Sequence, residues 1–251
     1  MKLLLQQAER EHFSLSSDNE LKKFLSLPKS QILQLKLQLY VSRKDVDNIS
    51  LITMEIKDTY FKGFENASEI FDVKLFPNLR PGKNDLDIVS RMSFTTEPIL
   101  KSLTVLDENH NLVSLRMFKY VLGFMGDRKF THPLTIAVEA IQTAYFHPLL
   151  RDELFLQIVK QLSKNPSNTS LKRGYAILYA TICTFPPSEV LENYLETFLR
   201  TRKLTKIVKR MHVIVYLRAR DNPPTLRDIE STINEFLVYL DGSLTVDDGA
   251  K

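Results

Sequence analysis

LRDELFLQIVKQLSKNP, residues 150–166, and RGYAILYATICTFPPS, residues 173–188, decide the fold of this chain. In the first stretch Leu154, Phe155, Ile158, Val159 and Leu162 recur at helical spacing and so share one face. Asp152 and Glu153 open the helix, Lys160 and Lys164 lie toward its end, and Asn165-Pro166 stops it, an order that suits the helix dipole. The two acids are adjacent, so they leave the helix in different directions and do not form a catalytic carboxylate pair. Gln157 and Gln161, one turn apart beside the apolar face, are placed to hydrogen-bond neighbouring backbone. The second stretch has Ser170 as its expected N-cap, carries Tyr175, Leu178 and Ile182 on one face, and closes at Pro186-Pro187.

The same punctuation continues on both sides. Leu115, Phe118, Leu122 and Met125 precede a stop at Gly126-Asp127. Ser188 is placed to cap a helix whose buried stripe is Val190, Leu191, Tyr194, Leu195, Phe198 and Leu199. Thr225 with Asp228 three residues on forms a capping box for a last helix through roughly Phe236. These elements predict a mainly α, compact helical bundle.

The pieces SFTTEPILKSL (93–103), MFKYVLGFMGD (117–127), LLRDELFLQIVKQLSKNP (149–166), RGYAILYATICTFPPS (173–188) and YLETFL (194–199) together resemble the myosin tail homology 4 domain. The resemblance covers residues 91–235. Members of that family usually carry tryptophan where Tyr175 stands, after the Arg-Gly pair, and this chain has no Trp. The resemblance implies a helical module of myosin and plant kinesin tails, commonly followed by a FERM domain and binding cargo-protein tails or microtubules. It implies no catalytic residues and no cofactor or metal.

Composition agrees. A chain of 251 residues with 43% hydrophobic and 25% charged side chains can bury one domain's core or somewhat more. Only 7 glycines favour long helices. The single cysteine, Cys183, lies in an apolar run and cannot form an internal disulfide, which fits a reducing compartment. No apolar run reaches the 18 or so residues of a membrane span. A cytoplasmic, cytoskeleton-associated location is expected.

Net charge is +4, and its distribution matters more than its size. From Thr197 to Arg220 there is no acidic residue, whereas Arg202, Lys203, Lys206, Lys209 and Arg210 are basic. Leu204, Ile207, Val208 and Met211 share one helical face, which leaves Lys203, Lys206, Lys209 and Arg210 outside it, and these four with Arg202 form a basic ridge. Such a ridge attracts acidic polymers. The plain alternative is a solvated helix face. Tubulin's acidic tails suit the resemblance, whereas nucleic acid is not expected because the segment lacks interleaved aromatics for stacking.

Residues 1–90 have a different texture and read as an extension or the end of a preceding domain. LQLKLQLYV (33–41) alternates strictly and ISLITMEI (49–56) follows a polar turn, a pattern that predicts a small β-hairpin over 31–57. Helix is the rival reading, because leucine, glutamine and lysine favour it. FPNLRPGKND (76–85) is the expected linker. Residues 236–251 form a C-terminal tail in which FLVYLDGSLTV reads as the first hairpin of a FERM domain, turning at Asp241-Gly242.

Motifs of chemistry are missing. Arg80-Pro81-Gly82-Lys83 lacks the spacing of a phosphate-binding loop. His12, His110, His132, His147 and His212 are scattered and, with one cysteine, give no zinc spacing. His132 and His147 each precede proline and belong in turns. The expectation is a non-catalytic protein-binding module. The alternative is a scaffolding segment of an adaptor or Rho GTPase-activating protein.

Overall fold

The computed structural model describes residues 28–217 and 220–247, with backbone alone for 241–247. These fall into two compact units, one up to Tyr60 and one from Phe61 onward. The first contains α1 (Lys29–Ser42) and most of α2 (Val46–Lys62). Lys44 turns the chain at φ 54°, Asp45 accepts a hydrogen bond from the Asn48 N–H at 3.2 Å, and Lys29 pairs with Glu55 at 2.7 Å.

The hairpin predicted over 31–57 is therefore corrected to a pair of helices. Alternating leucines do not forbid a helix, because residues four apart still stack on one face. Leu33 and Leu37 are buried, Leu35 and Leu39 lie half-buried to either side, and the intervening glutamines and lysine are good helix formers. In α2 the buried set is Ile49, Ser50, Ile52 and Thr53, again a helical spacing.

The second unit runs through α3 (Ala67–Ile70), a 3-10 turn (Val73–Leu75), α4 (Asp85–Arg91), α5 (Glu108–Met125), α6 (Pro133–Phe146) and a second 3-10 turn (Pro148–Leu150). It continues with α7 (Arg151–Leu162), α8 (Asn168–Thr184), α9 (Glu189–Thr201), α10 (Thr205–Leu217) and α11 (Leu226–Asp247). Among the described residues there is no strand beyond the single bridge between Leu79 and Thr104.

Helix α8 is the hub, touching α5, α6, α7, α10 and α11. Its partner α7 is buried without interruption from Glu153 to Leu162. The apolar residues read in 150–166 all lie at 0–3% exposure, so the stripe is core. Close approach of α8 to its neighbours uses Gly174, where an added Cβ would stand 2.6 Å from Met125 Cε and 2.7 Å from Leu162 Cδ2. Phe71 and Phe76 meet the Tyr194 ring edge-on at 5.7 and 5.8 Å, which ties the 71–76 segment to α9.

Most helix ends follow the sequence. Gly126 closes α5 in the left-handed region at φ 84°, Ser188 accepts from the Leu191 N–H, and Thr225 and Asp228 exchange hydrogen bonds at 2.9 and 3.2 Å. Two ends are corrected. The cap of α8 is Ser167, which accepts from the Ser170 N–H, while the Ser170 hydroxyl is buried and accepts from Asn165 Nδ2. Helix α11 runs to Asp247, so the expected hairpin in FLVYLDGSLTV is absent and Asp241-Gly242 lies within helical backbone. Phe236 anchors that extension, fully buried and stacked on Tyr179 with ring centres 4.6 Å apart.

Candidate partner-binding surface

The polar residues of α7 are consumed by the fold. Glu153, fully buried, accepts from the Leu103 N–H at 2.9 Å, the Thr104 N–H at 2.7 Å, the Thr104 hydroxyl at 2.6 Å and Gln157 Nε2 at 2.9 Å. Burial pushes its pKa up, against four donors that favour the carboxylate. Gln157 donates to the Ser114 carbonyl at 2.9 Å, and Gln161 both donates to the Thr95 carbonyl and accepts from its N–H. The glutamines thus do the backbone work expected of them. Asp152 reaches the next layer, accepting from the Ser188 N–H at 3.0 Å and its hydroxyl at 2.6 Å.

Lys160 departs from the sequence reading. It is not a solvated lysine near a helix end: it is 3% exposed, with its ammonium donating to the Ser93 carbonyl and lying 6.0 Å from the centre of the Phe118 ring. Burial pulls its pKa down from 10.5 to about 8. The unfolded chain holds this proton up to its ordinary pKa, so between those two values it binds more protons than the folded protein. Stability from this residue therefore rises with pH across that window. Below it, the folded state carries a buried charge at a cost of roughly 3 kcal/mol. Lys160→Met should raise stability at pH 7 by about 1 kcal/mol, after loss of the Ser93 contact, and remove its share of the rise between pH 8 and 10. Urea unfolding of both proteins at pH 7 and 9 measures this, and a less stable variant at pH 7 contradicts it.

A second buried polar group joins α9 to α10. Glu196 Oε1 accepts from Arg200 at 2.7 Å, and Glu196 Oε2 lies 3.0 Å from His212 Nε2 without hydrogen-bond alignment. Glu196 and His212 are fully buried. Arg200, part of the acid-free run, is turned inward with its guanidinium over the Phe61 ring at 5.3 Å.

The five ridge residues are not equivalent. Arg202 and Lys203 sit in the α9–α10 turn, and Lys206, Lys209 and Arg210 on α10. Arg202 lies over the Phe198 ring at 3.6 Å and donates to the Phe198 carbonyl at 3.2 Å. Lys206 pairs with Glu235 at 3.1 Å and faces the Tyr239 ring at 4.5 Å, which fastens α11 to α10. Arg210 Nε donates to Cys183 Sγ at 3.3 Å, and that residue is mostly buried. Lys203, with φ 57°, and Lys209 are exposed and have no side-chain partner among the described residues. The expected ridge is thus divided: three cations with internal partners and two left outward. Sequence spacing does not reveal Glu235 as the partner of Lys206, because it comes from the following helix.

Among the described residues no group of three His, Cys, Asp or Glu side chains is arranged to hold a metal, and no helix is long and apolar enough to cross a membrane. His132 and His147 flank α6 at its proline-marked ends.

The MyTH4 domain family model matches residues 137–231. The high molecular weight form of myosin-1 from Acanthamoeba castellanii is 33% identical over 189 residues, which cover 71% of this chain and 12% of that protein. Unconventional myosin-VIIb from Mus musculus is 30% identical over 146 residues, 53% of this chain and 6% of that one. Kinesin-like protein KIN-14I from Oryza sativa subsp. japonica is 32% identical over 113 residues, 43% of this chain and 9% of that one. The chain therefore spans a small part of the curated relatives it matches. Among solved structures, the C-terminal MyTH4-FERM domain of human myosin 7b, in complex with a harmonin-a PDZ3 domain, is similar with a TM-score of 0.56 at 25% identity. That likeness covers 63% of this chain and 34% of the other.

Proposed function

Since the helical unit carries a MyTH4 domain over residues 137–231, shared with myosin and kinesin relatives, we propose that it serves as a non-catalytic docking module in the tail of a cytoskeletal motor. Its partners are cargo-protein tails or microtubules, and an adjacent FERM domain shares the binding. The observation that carries this reading is the division of labour within the acid-free run. Arg202, Lys206 and Arg210 brace the α9–α11 corner, while Lys203 and Lys209 stay outward with no acid between residues 197 and 220 to offset them. A braced corner presenting unpaired cations gives electrostatic steering toward an acidic partner and little cost of ordering on contact.

The division also selects the variant that tests the proposal. Reversing Lys206 or Arg210 would also break its contact with Glu235 or Cys183, so the informative change is Lys203→Glu with Lys209→Glu. In co-sedimentation with microtubules at about 50 mM salt, where surface charges are weakly screened, the double variant is expected to bind at least about fivefold more weakly with its melting temperature unchanged. Equal pelleting of the two proteins removes this surface from the account.

A further inference from the structure

We propose that the cleft between the 80–91 segment and the 94–103 loop is a second docking site, for an acidic peptide segment of a partner protein that carries an apolar anchor residue, with the buried Lys160 of its lining receiving a carboxylate. The inference deepens the docking-module reading and rests on it. None of the five ridge residues lines this cleft, so the two sites stand or fall separately.

The cleft has a volume of about 850 Å³, well beyond what an inorganic anion fills and within the range of ligand pockets. Its lining holds five cations, Arg80, Lys83, Arg91, Lys101 and Lys160, against two acids, Asp87 and Glu97. Two of the cations build the wall. Arg80 donates to the Ser102 carbonyl at 3.1 Å and the Ser102 hydroxyl at 2.9 Å, and Arg91 donates to the Arg80 carbonyl at 2.9 Å and lies 3.3 Å from Asp87. Lys83 and Lys101, also in the lining, are exposed.

Lys160 is the decisive group. An ammonium has three hydrogens to donate, and the Ser93 carbonyl takes one. A buried cation with donors to spare, lining an open cleft, is stabilised by an incoming carboxylate more than any surface lysine is, because little water competes there. Apolar walls stand beside it. Phe94, Ile99 and Leu103 line the cleft, and Leu100 is 89% exposed along the same loop. Chemistry of this kind fits a peptide that alternates acid and apolar side chains.

The loop is irregular in conformation and yet held at both ends. Gln161 binds Thr95, the Phe94 N–H donates to the Ser163 carbonyl at 2.8 Å, and Glu153 holds Leu103 and Thr104. The wall is thus formed before any ligand arrives, which limits the ordering cost of binding.

The test uses the whole chain and a fluorescein-labelled octapeptide of alternating Glu and Leu, with fluorescence anisotropy at about 50 mM salt. Affinity is expected to fall about tenfold with Lys160→Met and about threefold with Lys101→Glu, and to stay unchanged with Lys203→Glu/Lys209→Glu. Lys101 is exposed, so its variant decides the matter even if the Lys160 variant folds poorly. Bound peptide is also expected to move the Lys160 titration midpoint, followed by ¹⁵N NMR of the side-chain amine, upward from about 8. The proposal is overturned if the octapeptide fails to bind, if its Lys-for-Glu counterpart binds as well, if octa-glutamate binds as tightly, or if neither cleft variant weakens binding. In each of those cases a loss of microtubule binding in the Lys203→Glu/Lys209→Glu protein leaves the docking-module reading standing.

Discussion

Replacing Glu153 with alanine is expected to lower the free energy of unfolding by about 4 kcal/mol, a fall in melting temperature of roughly 8–16 °C for a chain of this size. The expectation follows from counting donors. Two backbone N–H groups, one hydroxyl and one side-chain amide point at a carboxylate that is wholly buried in α7. Alanine leaves the two backbone N–H groups and the hydroxyl without this acceptor and Gln157 Nε2 with the Ser114 carbonyl alone, and each lost pairing of a buried donor carries a desolvation cost. Glu153→Gln keeps one acceptor oxygen but turns an amide NH2 toward donors, so about half the loss is expected. The pair separates polar pairing from packing, because glutamine fills almost the same space. Thermal unfolding followed by circular dichroism reads both, and an alanine variant within about 1 kcal/mol of the parent would mean that the 102–104 loop is held by something else.

Phe155→Ala is expected to cost a similar amount, about 4 kcal/mol, by a different route. Phe155 is fully buried on α7, and its ring meets the Phe185 ring edge-on at 5.7 Å where α8 ends. Arg151 covers the other ring at 5.2 Å, which leaves little freedom for Phe185 to move into the vacated space. The loss is therefore transfer of the removed atoms plus a residual cavity and a lost aromatic pair. Phe155→Leu retains most of the volume and is expected to cost about 1.5 kcal/mol. Equal losses for leucine and alanine would show that ring geometry, not filled volume, dominates at this crossing.

Much of the architecture is legible in the residues, for reasons that are local. The stripe Leu154, Phe155, Ile158, Val159 and Leu162 is buried as its spacing implies, the stop at Gly126 takes the left-handed conformation glycine allows, and Ser188 and Thr225 cap as their positions suggest. Gln157 and Gln161 find backbone partners because an amide beside an apolar face has few other outlets. What escapes the sequence involves partners far along the chain. Nothing around Glu153 or Lys160 announces loops 49 and 67 residues earlier, so a helix buried all round reads as a helix buried on one side. The divided ridge has the same cause, since Glu235 and Cys183 claim Lys206 and Arg210 from other helices. The alternating leucines of α1 mislead differently, because a period of two leaves a four-residue stack intact and strong helix formers then prevail. The cleft around Lys160 is invisible to periodicity, being made by an irregular loop that only tertiary hydrogen bonds hold in place.

The central claim is that interior polar groups hold a rigid platform while outward cations do the binding. Co-sedimentation with microtubules of two proteins side by side, Glu153→Gln and Lys203→Glu/Lys209→Glu, tests it most directly, at about 10 °C and with folding verified. The account predicts that Glu153→Gln, though less stable, binds like the parent chain, and that the double variant binds weakly at full stability. Weak binding by folded Glu153→Gln together with undiminished binding by the double variant would contradict it.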